Sequence, residues 1–154
     1  MATPTDNAAT AGTADNTPTA DNARLVENFL TALQHNDLDT ADALVDDNLV
    51  YQNVGLPTIH GRARAIKLFR AMDGRAGFEV KFHRVAANGS SVLTERTDAL
   101  VIGRVRLQFW VCGVFEVHGG KITLWRDYFD MFDMVKATVK GLAGAVVPAL
   151  RPRM

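Results

Sequence analysis

The sequence predicts an α+β protein in which helices pack over one side of a strongly curved, mixed β-sheet. Helical spacing of apolar residues dominates the first half of the chain, and strand-like alternation dominates the second half until a final helical segment. Glycine-containing turns separate the strand-like segments, at Asn88-Gly89, Gly103 and Gly119-Gly120. A sheet of this kind, rolled against helices, forms a cone with one deep and mostly apolar pocket.

The composition favours a single soluble domain in the cytoplasm. The chain has 154 residues, 47% of them hydrophobic, and 17 basic residues balance 17 acidic ones. This balance gives no electrostatic reason to expect binding to nucleic acid or to an anionic membrane surface. Cys112 is the single cysteine, which excludes an internal disulfide and fits a reducing compartment. The sequence shows no signal peptide and no apolar stretch of about 20 residues, so we expect no membrane span.

The chain divides into two regions. After the initial Met, residues 2–22 are Ala, Thr, Pro, Asp, Asn and Gly, which lack the apolar surface that would offset the entropy cost of ordering. We therefore predict a disordered N-terminal tail at residues 1–22, followed by a single α+β domain at residues 23–154.

The domain is predicted to begin with a helix capped by Asn22, because Val26, Leu30 and Leu33 follow at helical spacing. The remaining elements follow from the same periodicities, with Gly and Pro marking their ends. They are a helix at 39–45, a strand at 49–53, a helix at 61–72, strands at 78–85, 92–102, 106–117 and 121–130, and a helix at 132–147. Gly113 lies inside a predicted strand, where it suggests a bulge or bend that curves the sheet.

Polar residues occur two positions apart in three of the predicted strands, so each set shares one face of the sheet. The sets are Tyr51 with Asn53, Arg96 with Asp98, and Asp127 between Trp125 and Phe129. Charged residues in an otherwise apolar stripe are costly to bury unless a partner or a reaction needs them. We therefore predict that these polar side chains meet in the pocket, whose walls include Trp125, Phe129 and Leu100.

An arginine between two carboxylates suits acid–base chemistry in a dry pocket. One guanidinium offers five donors in a fixed fork and can hold Asp98 and Asp127 at once. One carboxylate can then stay ionised and accept a proton from water, while the other is kept protonated by burial and by its like-charged neighbour. Tyr51 and Asn53 can fix the water along one line of attack. The same residues also suit a buried structural ion network, and spacing alone leaves both possibilities open.

Three segments of the sequence resemble the signature segments of the limonene-1,2-epoxide hydrolase family. They are Tyr51-Gln-Asn53, Thr94-Glu-Arg96-Thr-Asp98 and Gly120-Lys-Ile-Thr-Leu-Trp-Arg-Asp127-Tyr-Phe-Asp130. The segments occur in the family's order and approximate spacing, and the resemblance runs from about residue 24 to residue 135. The Leu107 to Cys112 stretch and the C-terminal helix match the family poorly, and these differences bear on the substrate.

The resemblance implies one-step hydrolysis of an epoxide to a vicinal diol, without a covalent intermediate, a metal or a cofactor. By position, it implies that Asp127 is the general base, acting on a water also held by Tyr51 and Asn53. It implies that Asp98 is the general acid and that Arg96 bridges the two acids. It further implies the cone-shaped fold shared with ketosteroid isomerase and scytalone dehydratase, and a homodimer. The apolar pocket suits a small lipophilic epoxide, whose hydrolysis would be a detoxification.

Two other functions remain open on the same fold, because fold alone does not determine function. An isomerase or cyclase would use one Asp as a base, but a carbon-acid isomerase does not need a bridging guanidinium. A non-catalytic lipophile-binding module would keep its role when both acids are changed to Asn. A metal site is not predicted, because the four histidines have no ligand spacing.

Overall fold

The structure is a computed structural model that describes residues 17–150. Helices and strands follow one another in the order that the sequence predicts, with one additional short strand. The elements are α1 (Thr17–Gln34), α2 (Leu38–Leu44), β1 (Val45–Asn53), β2 (Ile59–His60), α3 (Arg62–Met72), β3 (Gly77–Asn88), β4 (Ser91–Ile102), β5 (Val105–His118), β6 (Lys121–Tyr128) and α4 (Met131–Val146), followed by a 3-10 turn (Pro148–Leu150). None of the helices within residues 17–150 is long and apolar enough to cross a membrane.

The first helix begins earlier than predicted. It starts at Thr17, so residues 17–22, which the sequence assigned to the tail, belong to α1. Proline is tolerated in a first helical turn, where its missing N–H has no intrahelical partner to lose, and Pro18 lies there. The Asn22 side chain does not cap the helix but donates to the carbonyl of Gly89, 2.9 Å away. The rest of the predicted tail, residues 1–16, lies outside the described residues.

The six described strands form one open, mixed sheet in the order β2-β1-β6-β5-β4-β3. The strands β3 to β6 are antiparallel neighbours joined by tight turns, and β1 pairs with β6 in parallel. The N-terminal strand therefore lies beside the last strand, which brings together residues that are about 75 positions apart in sequence, such as Asn53 opposite Asp127. The short strand β2 was not predicted, because a two-residue strand carries no periodicity of its own.

The strand pairing is irregular at several positions, but not at Gly113, where a bulge or bend was predicted. The register shifts between Phe82 and Arg84 on β3 and between Glu116 and Val117 on β5. Gly113 pairs regularly on both sides, with Thr94 on β4 and with Asp127 on β6, so it does not form a bulge, which was one of the two predicted alternatives. The space around Gly113, described below, explains why a glycine occupies this regular position.

The core lies between the inner face of the sheet and the helices α1, α2 and α3, which confirms the predicted α+β arrangement with helices over one side. The helices contribute buried apolar residues, chiefly Val26, Phe29, Leu30, Leu33, Ala41, Ala65 and Ile66. The sheet contributes Val92, Phe115, Ile122 and Trp125. Trp125 stacks on Phe115 and Tyr51 and meets Phe29 edge-on. The fourth helix packs its small residues Ala137, Gly141 and Gly144 inward, and Gly141 lies close to the backbone of β5.

Candidate active site

Strand alternation places an arginine between two carboxylates on the inner face of the sheet. Arg96 and Asp98 are two residues apart on β4, and Asp127 lies on β6, with β5 between them. The Nε atom of Arg96 donates to both oxygens of Asp98, at 2.9 and 3.0 Å. Its Nη2 atom donates to Oδ2 of Asp127 at 2.6 Å. The three side chains are 0%, 5% and 5% exposed, so this ion cluster is almost completely removed from solvent.

The predicted tyrosine and asparagine meet beside this cluster at the end of β1. The amide Nδ2 of Asn53 donates to the phenol oxygen of Tyr51 at 2.8 Å. Parallel pairing places Tyr51 opposite Trp125 and Asn53 opposite Asp127, and the N–H of Val54 donates to the Asp127 carbonyl at 2.9 Å. The structure therefore brings together all five polar residues that the sequence singled out.

A cavity of about 220 Å³ opens onto these groups. Its polar lining comes from Tyr51, Asn53, Asp98 and Asp127, and the three predicted wall residues, Trp125, Phe129 and Leu100, line it as well. The other lining residues are apolar: Leu33, Leu56, Leu68, Phe69, Met72, Phe78, Phe109, Val111 and Met134. Arg96 is fully buried and does not line the cavity, so it acts on a ligand only through the two acids.

Burial sets the protonation states of the two carboxyl groups. Desolvation raises the pKa of Asp98 to about 6, although the charge and hydrogen bonds of Arg96 oppose this. Desolvation also raises the pKa of Asp127, against the opposing effects of Arg96 and of the nearby Trp125 indole N–H. One guanidinium can balance one carboxylate, so the pair is stable when it shares one proton and titrates as a unit.

The cation and the phenol keep their usual protonation states. Burial alone lowers the pKa of the Arg96 guanidinium, but the charges of Asp127 and Asp98 more than offset this and leave the pKa raised. Burial raises the pKa of Tyr51 to about 12, against a smaller opposite effect of its hydrogen bond with Asn53. At neutral pH, the site therefore holds a guanidinium cation and a neutral phenol, which can position a ligand but does not act as a base.

The two oxygens of Asp127 differ in their surroundings. Oδ2 accepts the short hydrogen bond from Arg96, whereas Oδ1 is buried and makes no hydrogen bond of normal geometry with any of residues 17–150. A buried carboxylate oxygen normally has a partner, because an unsatisfied one costs about 1–3 kcal/mol. Oδ1 is therefore the oxygen of this carboxylate that Arg96 does not hold, and the Trp125 indole N–H is the nearby donor that lowers the pKa of the group.

Sequence reasoning missed two kinds of site residue. The first is Thr94, whose hydroxyl oxygen accepts from Nη1 of Arg96 at 2.9 Å; its position two residues before Arg96 on the same strand was the available signal. The second is the part of the cavity wall that comes from α1, α3 and β3, for example Leu33, Phe69 and Phe78. These side chains follow ordinary core periodicity, so nothing in the sequence distinguishes them from buried packing residues.

Comparison with known proteins shows the family of this chain. The model of the limonene-1,2-epoxide hydrolase catalytic domain matches residues 20–140, which is most of the chain. The chain belongs to the limonene-1,2-epoxide hydrolase family. A relative from Mycobacterium tuberculosis, epoxide hydrolase EphG, is 61% identical over 126 residues, covering 82% of this chain and 85% of the relative.

Solved structures support the family and the fold. The structure of an M. tuberculosis limonene-epoxide-hydrolase-like enzyme superimposes with a TM-score of 0.86 at 58% identity, covering 88% of this chain and 97% of that one. A protein of ketosteroid isomerase-like fold from Catenulispora acidiphila superimposes with a TM-score of 0.66 at 15% identity, covering 75% and 92%. The second likeness concerns the fold alone, and it confirms the predicted relation to the ketosteroid isomerase fold.

Proposed function

We propose that this member of the limonene-1,2-epoxide hydrolase family adds water to a lipophilic epoxide in one step and releases a vicinal diol. Family membership supports epoxide hydrolysis. The observation that carries the mechanism is the shared guanidinium: Arg96 binds Asp98 and Asp127 at once, and both acids face the same apolar cavity. Such a cluster holds one acidic proton and one basic oxygen a short distance apart.

The proposed general base is Asp127. Arg96 holds its Oδ2 by a 2.6 Å charge-assisted hydrogen bond, which favours the ionised form, and Oδ1, which Arg96 does not hold, is the oxygen proposed to accept the proton. The proposed general acid is Asp98, by its position in the family's pattern. Burial raises its pKa to about 6 and also raises the pKa of Asp127, so both carboxyl groups can take part in proton transfer. Efficient acid–base catalysis needs pKa values near the working pH, and burial brings these carboxyl groups toward that range.

Tyr51 and Asn53 are proposed to hold the attacking water. Their mutual hydrogen bond fixes both polar groups, and the strand pairing places Asn53 beside Asp127. In the reaction, Asp127 takes a proton from the water while the water oxygen forms a bond to an epoxide carbon. The carbon–oxygen bond of the ring breaks, and the epoxide oxygen takes the proton of Asp98. The proton gained by Asp127 must then return to Asp98 before the next turnover.

The substrate is proposed to be a small lipophilic epoxide, because the cavity wall is apolar apart from the four polar residues described above. Trp125, Phe129 and Leu100 would contact its hydrocarbon part. An epoxide is an electrophile that alkylates nucleophiles, so its conversion to a diol supports a role in detoxification. The single cysteine, Cys112, supports a reducing compartment and hence the cytoplasm as the place of action.

We propose a homodimer as the functional form. The C-terminal helix supports this, because it carries large apolar residues that are more than half exposed in the single chain: Met131, Phe132, Val135, Val139, Leu142 and Val146. An apolar surface of this kind is usually covered by another protein surface. Sedimentation equilibrium tests the proposal: a mass of one chain at micromolar concentration would contradict it.

The proposed mechanism is tested by a single turnover in oxygen-18 water with enzyme in excess over limonene-1,2-epoxide. We expect heavy oxygen in the diol from the first turnover, because water attacks the epoxide directly. We expect Asp127→Asn to lower kcat about 1,000-fold, in the middle of the range for loss of a general base. Glu79→Gln is the matched control: it makes the same chemical change in another carboxylate that is bound to an arginine, Arg106, and it should leave the rate unchanged.

Two results would contradict the proposal. A first-turnover diol without heavy oxygen would make a carboxylate the nucleophile and would exclude the one-step mechanism. Full activity of Asp127→Asn would exclude this residue as the base. If no diol formed from any lipophilic epoxide, an isomerase, a cyclase or a lipophile-binding module on the same fold would be the better explanation.

A further inference from the structure

We propose that Gly113 and Thr94 are positioning residues of this site, which together hold the Arg96 guanidinium where it can bind both acids at once. The inference rests on the roles proposed above for Asp98 and Asp127. Neither residue need touch the substrate: each acts through Arg96. Three independent features of the structure support the proposal: the strand register, the space at Gly113 and the hydrogen bond of Thr94.

The strand register requires Arg96 to reach across a neighbouring strand. Arg96 starts on β4, where it pairs with Val111 of β5, and its partner Asp127 lies beyond β5, on β6. Because β5 lies between them, the backbones of β4 and β6 are about 10 Å apart. The guanidinium must therefore pass over the surface of β5 to reach Asp127. The residue of β5 that pairs with Asp127 on one side and with Thr94 on the other is Gly113.

The guanidinium occupies the space that a side chain at Gly113 would need. A Cβ atom built at this position would lie 2.2 Å from Nη1 of Arg96, 2.7 Å from Oγ1 of Thr94 and 3.0 Å from Oδ1 of Asp127. All three distances are at or below the closest approach that real Cβ atoms make. Gly113 is not among the residues with positive φ, so its backbone does not require glycine. Glycine is required here because the Arg96 side chain occupies the space that a Cβ atom would need.

Thr94 fixes the part of the guanidinium that the acids leave free. Nε is bound by Asp98 and Nη2 by Asp127, whereas Nη1 donates to the hydroxyl of Thr94 at 2.9 Å. Thr94 is 3% exposed, so water cannot easily replace it as the acceptor. With a neutral acceptor on its third nitrogen, the planar fork of the guanidinium is held in one orientation.

Gly77 shows that a glycine in this sheet does not always leave space that a neighbouring side chain occupies. It lies at the start of β3, and a Cβ built there would meet Val101 at 3.7 Å, which is ordinary van der Waals contact. Its φ is not positive either. Gly77→Ala is therefore a matched control for Gly113→Ala, because it adds the same methyl group to another strand of the same sheet without touching the site.

The test compares these two variants in the intact protein, with limonene-1,2-epoxide as the substrate. We expect Gly113→Ala to lower kcat/KM about 100-fold, the effect of misplacing reacting groups by about 1 Å. We expect the kcat/KM of Gly77→Ala to stay within about twofold of the wild-type value. We also expect a change in the pH dependence of kcat/KM: in Gly113→Ala, the rise of kcat/KM on the acid side should move to higher pH. Arg96 holds down the pKa of Asp127, so displacing the guanidinium lets that pKa rise and the base then ionises only at higher pH.

Substitutions of Thr94 test the hydrogen bond without adding volume, and they keep the proposal testable if Gly113→Ala does not fold. Thr94→Val removes the acceptor and keeps the shape, and we expect about a tenfold loss of kcat/KM with an acid limb shifted in the same direction. Thr94→Ser restores the hydroxyl and should recover most of that loss.

Two outcomes would overturn the proposal. Gly113→Ala with the activity and pH profile of Gly77→Ala would show that Arg96 does not need the space. Thr94→Val and Thr94→Ser with equal activity would show that the hydroxyl does not position the guanidinium. A failure of the proposed mechanism is recognised separately, because it would appear as retained activity in Asp127→Asn, whatever the variants of Gly113 and Thr94 do.

Discussion

Two arginine–carboxylate clusters lie on opposite faces of the same sheet, and they differ in charge. On the inner face, Arg96 binds Asp98 and Asp127. On the outer face, Arg106 of β5 donates through both of its Nη atoms to the two oxygens of Glu79 on β3, each at 2.6 Å. Strand pairing opposes Arg106 to Val101 and Glu79 to Ala99, which alternate with the residues of the inner face.

The difference lies in the balance of charge. The outer pair has one positive and one negative charge, and the Glu79 side chain is 41% exposed. The inner cluster has one positive and two negative charges with almost no solvent exposure, so its net charge is −1 unless it binds a proton. A buried uncompensated charge is costly, and a raised carboxyl pKa relieves that cost. The outer pair is thus an ordinary structural contact, whereas the inner carboxyl groups have raised pKa values and bind a proton at higher pH than exposed aspartates do.

The largest effect on stability is expected when the inner cation is removed. Arg96→Gln leaves two buried carboxyl groups without a positive charge, and we expect a loss of about 3–5 kcal/mol in the free energy of unfolding at pH 8. The loss should be smaller at pH 5, because both carboxyl groups can then be protonated. Urea unfolding at the two pH values measures the difference. An equal loss at both would contradict the role of Arg96 as the charge-balancing group.

A smaller effect, visible as a pH dependence, is expected when the inner acid is removed. The folded protein binds a proton at Asp98 with a pKa of about 6, whereas the unfolded chain releases it near pH 4. The stability from this group is therefore present below pH 4 and is lost as the pH rises to about 6, by about 3 kcal/mol in total. In urea unfolding at constant protein concentration, Asp98→Asn should show a smaller decline than the wild type, because Asp127 is then the one carboxyl group of the cluster with a raised pKa. A decline identical to that of the wild type would show that Asp98 does not carry the proton.

The smallest effect is expected on the outer face. Arg106→Gln leaves Glu79 with access to solvent but shortens a side chain that is 9% exposed, so we expect a loss of about 2 kcal/mol in the free energy of unfolding. The activity toward limonene-1,2-epoxide should change less than about twofold, because this pair does not contact the inner cluster. Activity assays and urea unfolding check these two expectations. A loss of activity as large as that of an inner-cluster variant would show that the outer pair also matters for catalysis.

The contrast also shows how far the sequence alone leads. The inner residues were predictable because polar residues two apart in an apolar stripe must share a face, as Arg96 and Asp98 do. Gly113 was predicted to form a bulge or bend and Thr94 was not singled out, because their roles depend on which residues of β4, β5 and β6 pair. Strand register is a long-range property that depends on the packing of the whole sheet. For the same reason, the contributions of Leu33 and Phe78 to the cavity wall became visible only once the helices and the edge strand were in place.

The charge balance of the inner cluster can be measured directly by carbon-13 NMR of protein labelled at the aspartate carboxyl carbons. In the wild type, we expect one carboxyl group of the pair to titrate near pH 6, well above the range of exposed aspartates. In Asp98→Asn, the signal that titrates near pH 6 should be absent, which would assign it to Asp98, and Asp127, whose pKa burial also raises, should then titrate by itself. If every aspartate of the wild type titrated near pH 4, neither carboxyl group of the cluster would have a raised pKa, and the proposed division into acid and base would be wrong.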